Sequence, residues 1–157
     1  TNKMCPFAQK AWIALEEKKA SHGVAFKLEE VGLYGSGGKP AWFLKMNPRG
    51  LVPVLKHGNK VVVESDDIIK YIDAHIGTSA ELSQGLGASV DEWLVLLAEV
   101  RAAGKECVLG HGSSLKFKEV IAKVEASIQG PYMRGDAFSL ADVAAAPFFQ
   151  VGVLSVC

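Results

Sequence analysis

With 157 residues, 49% of them apolar, the chain is long enough for one domain or two small ones and has the composition of a globular protein. Its 17 basic residues balance 17 acidic ones, which argues against the basic surface that nucleic acid or an acidic membrane requires. Three widely spaced cysteines, Cys5, Cys107 and Cys157, make no disulfide framework and suit an intracellular reducing compartment, either the cytoplasm or an organelle stroma such as that of a plastid. His22, His57, His75 and His111 are scattered without metal-ligand spacing, so no metal is expected.

Cys5 is followed at once by Pro6 and a helical pattern. Proline is tolerated at the first helical position, so Pro6 marks a helix start and Cys5 its N-cap. A sulfur there faces unpaired N–H groups and the positive end of the helix dipole, which favours the nucleophilic thiolate. The alternative is an inert packing cysteine, since free cysteine is among the most buried residue types. The helix runs to about Lys19 with Phe7, Ala11 and Leu15 on one stripe and Ala8 and Trp12 beside it. Val24, Phe26 and Leu28 alternate with Ala25, Lys27 and Glu29, the period of a strand.

A glycine-rich loop covers 32–38, and a short helical turn entered through Pro40 covers 39–45. Leu51–Leu55 and Lys60–Val63 are two short strands around His57-Gly58-Asn59, a hairpin signal. From Asp66 to Ile76 a helix turns Ile68, Ile69, Ile72 and Ile76 inward and stops at Gly77. The stretch 78–88 reads as a linker, and everything after it is helical. Ser89-Val90-Asp91-Glu92 is a capping box for a helix to about Ala103, and a second helix spans about Leu115–Ile128. A third begins at Ser139, whose hydroxyl can cap toward Asp142 while Phe138 staples onto Val143. The apolar run from Val143 is broken by Pro147, Gln150 and Gly152 and is too short for a transmembrane segment. An α/β piece therefore precedes an all-α piece.

Several blocks in order carry a resemblance: Cys-Pro-Phe-Ala-Gln-Lys at 5–10, Lys-Pro-Ala-Trp-Phe at 39–43, Asn-Pro-Arg-Gly-Leu-Val-Pro-Val-Leu at 47–55, Glu-Ser at 64–65, and the capped stretch at 135–147. In these the chain resembles the cysteine-type glutathione transferases, namely the omega and lambda classes and the dehydroascorbate reductases. The resemblance implies a thioredoxin-like glutathione-binding domain at 1–77, a linker at 78–88 and an all-α C-terminal domain at 89–157 that is incomplete. It makes Cys5 catalytic and Phe7, Lys39, Val52, Pro53, Glu64 and Ser65 substrate-binding, with glutathione as co-substrate.

The resemblance also implies a cis Val52–Pro53 peptide, which would present the backbone N–H and C=O of Val52 to the cysteinyl part of glutathione as a strand edge captures a peptide. By charge, Glu64 would hold the γ-glutamyl ammonium. Ser65 and the helix N-terminus would hold the adjacent carboxylate, and Lys39 the glycyl carboxylate. Glu64-Ser65 ahead of Asp66 is equally a plain helix-capping arrangement, and a lone lysine on a helical turn is usually solvated.

The chain departs from the family in several respects, among them a glycine-rich loop at 34–38 that is longer than usual. Only Thr1–Met4 precede Cys5, where these proteins have a central strand, so upstream residues or another chain are expected to supply it. The last helices, which wall the second-substrate pocket, are also missing. Lys10 stands where arginine is common, and Asp66 and Asp67 add negative charge beside a site meant for a dianionic peptide.

The activity implied is that of a thiol transferase or reductase, in which Cys5 forms a mixed disulfide with glutathione on the way to reducing a small oxidised or disulfide substrate. With Ala8 where a resolving thiol would stand, a second glutathione must release it. The alternative is a non-catalytic transferase-like domain that binds a protein partner in a larger assembly. A further rival, the chloride-intracellular-channel-like group, shares the Cys-Pro-Phe start but fits the 47–55 block and Glu64-Ser65 less well.

Overall fold

The computed structural model describes residues 1–32, 38–79, 81–84, 86 and 89–155, with 151–155 as backbone alone. Most of the glycine-rich loop predicted at 32–38, parts of the 78–88 linker and Cys157 lie outside the described residues. The chain divides into two compact units, Thr1–Ala80 and Glu81–Cys157.

The first unit contains α1 (Pro6–His22), α2 (Ala41–Met46), β1 (Val54–His57), β2 (Lys60–Val63) and α3 (Ser65–His75). Pro6 opens α1 and Gly23, in the left-handed region at φ 65°, closes it by donating its N–H to Lys19 O. β1 and β2 pair antiparallel from Val54↔Val63 to His57↔Lys60, so the turn is Gly58-Asn59, while β1 starts three residues later than the expected Leu51 and takes in Lys56 and His57. Ile68, Ile69 and Ile72 of α3 are fully buried. Each contributes about 1.5–3 kcal/mol by leaving water.

The inward face of α1 keeps Ala11 and Leu15 of the predicted stripe, with Ala8 beside it, but not Phe7. Ala8, Ala11, Ala14 and Leu15 are buried, Phe7 is 40% exposed, and Lys10 and Lys18 are buried with them. Both lysines are paired: Lys10 with Asp66, and Lys18 with Asp73 at 3.0 Å. The lysines lie two turns apart on α1 and the aspartates two turns apart on α3. Low-numbered residues pair with low, so the helices run side by side in the same direction.

The strand predicted at 24–28 is only half realised. Side chains there alternate between half-buried and exposed, but the backbone is not part of a ladder among the described residues. An open groove of about 720 Å³ separates Val24–Glu29 from Pro53–His57, floored by Ala11, Leu15 and Phe43. Extended backbone becomes a strand only when a neighbour takes its hydrogen bonds, and here the groove lies where that neighbour would be.

The second unit is helical: α4 (Ser89–Val108), α5 (Ser114–Ser127) and α6 (Leu140–Ser155). α4 extends beyond its predicted end at Ala103. It runs through Gly104, where the ring of Phe117 on α5 comes within 3.2 Å of where a Cβ would stand. Ser89 does not form its predicted cap; its hydroxyl donates to Leu86 O. α6 does start as predicted, with the Asp142 carboxylate accepting from both the N–H and the hydroxyl of Ser139, at 2.9 and 2.8 Å, and from the N–H of Met133 at 2.8 Å. Trp93 ties α4 to α6 by donating to Ala141 O at 3.0 Å. Among the described residues no helix is long and apolar enough to cross a membrane.

Candidate functional site

Cys5 is the N-cap of α1, with extended backbone at φ −89° and ψ 117°. Its carbonyl accepts the N–H of Ala8 and of Gln9, both at 2.9 Å, while its half-buried thiol makes no capping bond. The turn before it is pinned from two sides. Gln9 donates to Lys3 O at 2.9 Å, and Asn2 donates to Val31 O at 3.1 Å while accepting the N–H of Met4. The thiol therefore stands on a fixed turn at a helix N-terminus.

Parallel packing of α1 and α3 puts their two N-termini at one end of the unit, Cys5 on the first and Ser65 on the second. Both dipoles thus present their positive ends on the same side, which favours an anionic ligand there. Ser65 is 8% exposed, and its hydroxyl oxygen accepts from the Lys10 ammonium at 3.3 Å.

Glu64 joins β2 to α3 with φ 66°, the only positive-φ non-glycine among the described residues. A non-glycine residue held there costs about 1–3 kcal/mol, and such positions cluster at functional sites. Its exposed carboxylate pairs with the Arg49 guanidinium. Arg49 belongs to a turn organised by Asn47, which is 6% exposed, donates to Leu51 O at 2.8 Å and accepts the Arg49 N–H at 3.2 Å. That turn leads into Val52–Pro53, whose peptide bond is cis, with Val52 half-buried and Pro53 buried.

Gly50 sits in the same turn at φ 66°, and the stem of Lys39 covers it: a Cβ there would meet Lys39 Cδ at 3.1 Å and Leu44 at 3.4 Å. The residues named from the sequence therefore form a connected rim. Lys39 lies on Gly50, its neighbour Arg49 holds Glu64, and Ser65 is bonded to Lys10, one and a half turns along α1 from Cys5. Phe7 lies on the exposed side of the same helix.

Two residues of the site carried no role in the sequence reading, Lys10 and Arg49. The available signal was positional. Lys10, Ala14 and Lys18 fall on one face of α1 at intervals of four, and Asp66 and Asp73 recur at seven on α3. Matched opposite charges at helical spacing on two apolar helices are a signature of paired burial.

A family model for the N-terminal domain of glutathione S-transferase matches residues 4–75. The chloroplastic glutathione S-transferase L2 of Arabidopsis thaliana is 35% identical over 152 residues, covering 93% of this chain and 50% of that protein. The probable cytosolic glutathione S-transferase DHAR1 of Oryza sativa subsp. japonica is 30% identical over 144 residues, covering 91% of this chain and 64% of that protein. The chain thus spans between half and two thirds of the length of these curated relatives. Among solved structures, glutathione transferase Omega 3C from Trametes versicolor superposes with a TM-score of 0.78 at 29% identity, over 98% of this chain and 71% of that one. The architecture is theirs, a thioredoxin-like unit followed by a helical unit, and among the described residues the sheet of the first unit has two strands. In sequence, in fold and in the blocks that build its rim, the chain belongs to the glutathione transferase superfamily.

Proposed function

We propose that the protein is a glutathione-dependent thiol transferase or reductase that works through a Cys5–glutathione mixed disulfide. The observation that carries this is the thiol at the N-terminus of α1 beside the N-terminus of α3. The first unit binds glutathione. Val52 pairs with the cysteinyl backbone beside Pro53, Glu64 takes the ammonium, and Ser65 takes the adjacent carboxylate. Lys39 meets the glycyl carboxylate, and Phe7 borders the thiol.

The Cys5 thiolate attacks the glutathionyl sulfur of a small mixed disulfide; that S–S bond breaks and the substrate leaves as its thiolate. A second glutathione thiolate then attacks the glutathionyl sulfur on Cys5, giving oxidised glutathione and restoring the Cys5 thiolate. Neither step needs a metal. The Glu64–Arg49 pair does not block this reading, because an exposed ion pair is worth only about 0–1 kcal/mol and yields readily to an incoming ammonium. Relatives named as chloroplastic and as cytosolic support a reducing compartment, cytosol or plastid stroma.

Intact mass after exposure to oxidised glutathione tests the reading, with wild type beside Cys5→Ser. One glutathionyl adduct on wild type, removed by reduced glutathione and absent from the variant, is the expected result. A folded wild type that takes no adduct would replace this reading with that of a non-catalytic domain in a larger assembly.

A further inference from the structure

We infer that Lys10 is a positioning residue of this site: it commits the Ser65 hydroxyl to donating a hydrogen bond toward the α-carboxylate of the γ-glutamyl group. The inference rests on the proposed glutathione site and adds a residue that the site's own chemistry does not name.

An ammonium can only donate, whereas a serine hydroxyl has one hydrogen to give and two lone pairs to receive. Lys10 Nζ stands 3.3 Å from Ser65 Oγ, so in this contact Ser65 must be the acceptor. Its hydrogen is left for another partner, and among the described residues the Ser65 side chain makes no other hydrogen bond. A nearby positive charge polarises that O–H and strengthens its bond to an anion.

Burial makes the arrangement rigid. Lys10 is fully buried, and its ion pair with Asp66 compensates its charge. The same pair offsets part of the negative charge at the start of α3. Asp66 is spent on Lys10 from within, and its charge does not face a dianionic ligand alone. Lysine also differs here from the arginine common in the family. It is a compact point charge rather than a planar fork, and one ammonium spans two neighbours on the first turn of α3.

The test compares two ligands by calorimetry: reduced glutathione, and its analogue with 4-aminobutyryl in place of γ-glutamyl, which keeps the ammonium and lacks the α-carboxylate. Wild type is expected to prefer glutathione by about tenfold or more, the range of a charge-assisted hydrogen bond. Lys10→Met should cut that preference several-fold, to the part held by the α3 N-terminus, and Lys10→Arg should retain it. Ser65→Ala should lose it to the same degree, with nothing further lost when Lys10→Met is added. Asp66→Asn leaves the Lys10 charge less neutralised and should widen the preference. This variant, with Ser65→Ala, decides the matter should Lys10→Met fail to fold.

The rate of Cys5 alkylation by iodoacetamide across pH should be unchanged in folded Lys10→Met, whereas a collapse of the α1 N-terminus would move it. Lys10→Met with the preference intact, or Asp66→Asn with it narrowed, overturns the role of Lys10 while leaving the glutathione site standing. A wild type that binds neither ligand overturns both.

Discussion

Lys18 and Asp73 show how much a single buried charge depends on its partner. They are 1% and 2% exposed and stand 3.0 Å apart, with Lys18 also donating to Ser79 O. Removing one member strands the other in a low-dielectric interior, at a cost of about 3–5 kcal/mol. Asp73→Ala should therefore lower the urea midpoint sharply, while Lys18→Met combined with Asp73→Leu should recover most of the loss. A double variant as unstable as the single one would show that the pair contributes more than mutual neutralisation. Gly50 makes the complementary case, being fixed by backbone and by space. Gly50→Ala must hold φ 66° and press a methyl toward Lys39 and Leu44, so a loss of about 1–2 kcal/mol is expected in the same measurement. These residues also mark the limit of the sequence. Cys5, Glu64 and Ser65 stand out because they fall in short recognisable blocks. Lys10 falls in such a block too, yet its burial and that of Lys18 are hidden, because lysine reads as solvated until a partner some 55 residues away is known.

At the scale of elements, hairpin and helices were legible wherever local chemistry decides the outcome. Gly58-Asn59 sets the β1–β2 turn, Pro6 opens α1, and Ile68, Ile69 and Ile72 of α3 keep one face, whereas α1 runs past the expected Lys19 to a cap at Gly23. The run 24–28 was legible as extended backbone but not as a ladder, because pairing is a property of two segments. Its amides should accordingly exchange with solvent much faster than those of α1 or α3 in a deuterium-exchange experiment. Protection equal to that of α3 would mean that the groove beside them is filled. α4 likewise outruns its expected end at about Ala103, continuing through Gly104 beside Phe117. Phe117 is half-buried and free to give by the few tenths of an ångström that a methyl asks for. Helix propensity should then prevail, and Gly104→Ala is expected to raise stability by about 0.5 kcal/mol in thermal melts.

Across the whole molecule, each unit relies on a different kind of internal support. The first is organised by opposite charges buried between two helices, and the second by a carboxylate that collects three hydrogen bonds ahead of α6. Asp142→Ala removes all three acceptor contacts at once, and a cost of about 2 kcal/mol is expected, read as an earlier loss of helical circular dichroism. Asp142→Asn keeps one acceptor oxygen and should lose less. The balance of 17 positive and 17 negative residues implies little long-range self-repulsion, so both effects should persist at high salt.

The side-by-side course of α1 and α3 also makes the protein a gauge of length. Two ion pairs, each two turns from the next, lock the helices against sliding, since a slip of one turn, about 5.4 Å, would break both. The separation between the sulfur of Cys5 and the hydroxyl of Ser65 is thereby set by the interior of the unit and not by the ligand that spans it. On the proposed reading, a peptide is selected by its reach as well as by its charges. The isomer of glutathione joined through its α-carboxyl group has the same atoms and the same ionised groups, but a shorter path from its amino end to its thiol. It is expected to be rejected by a site that could not stretch to meet it.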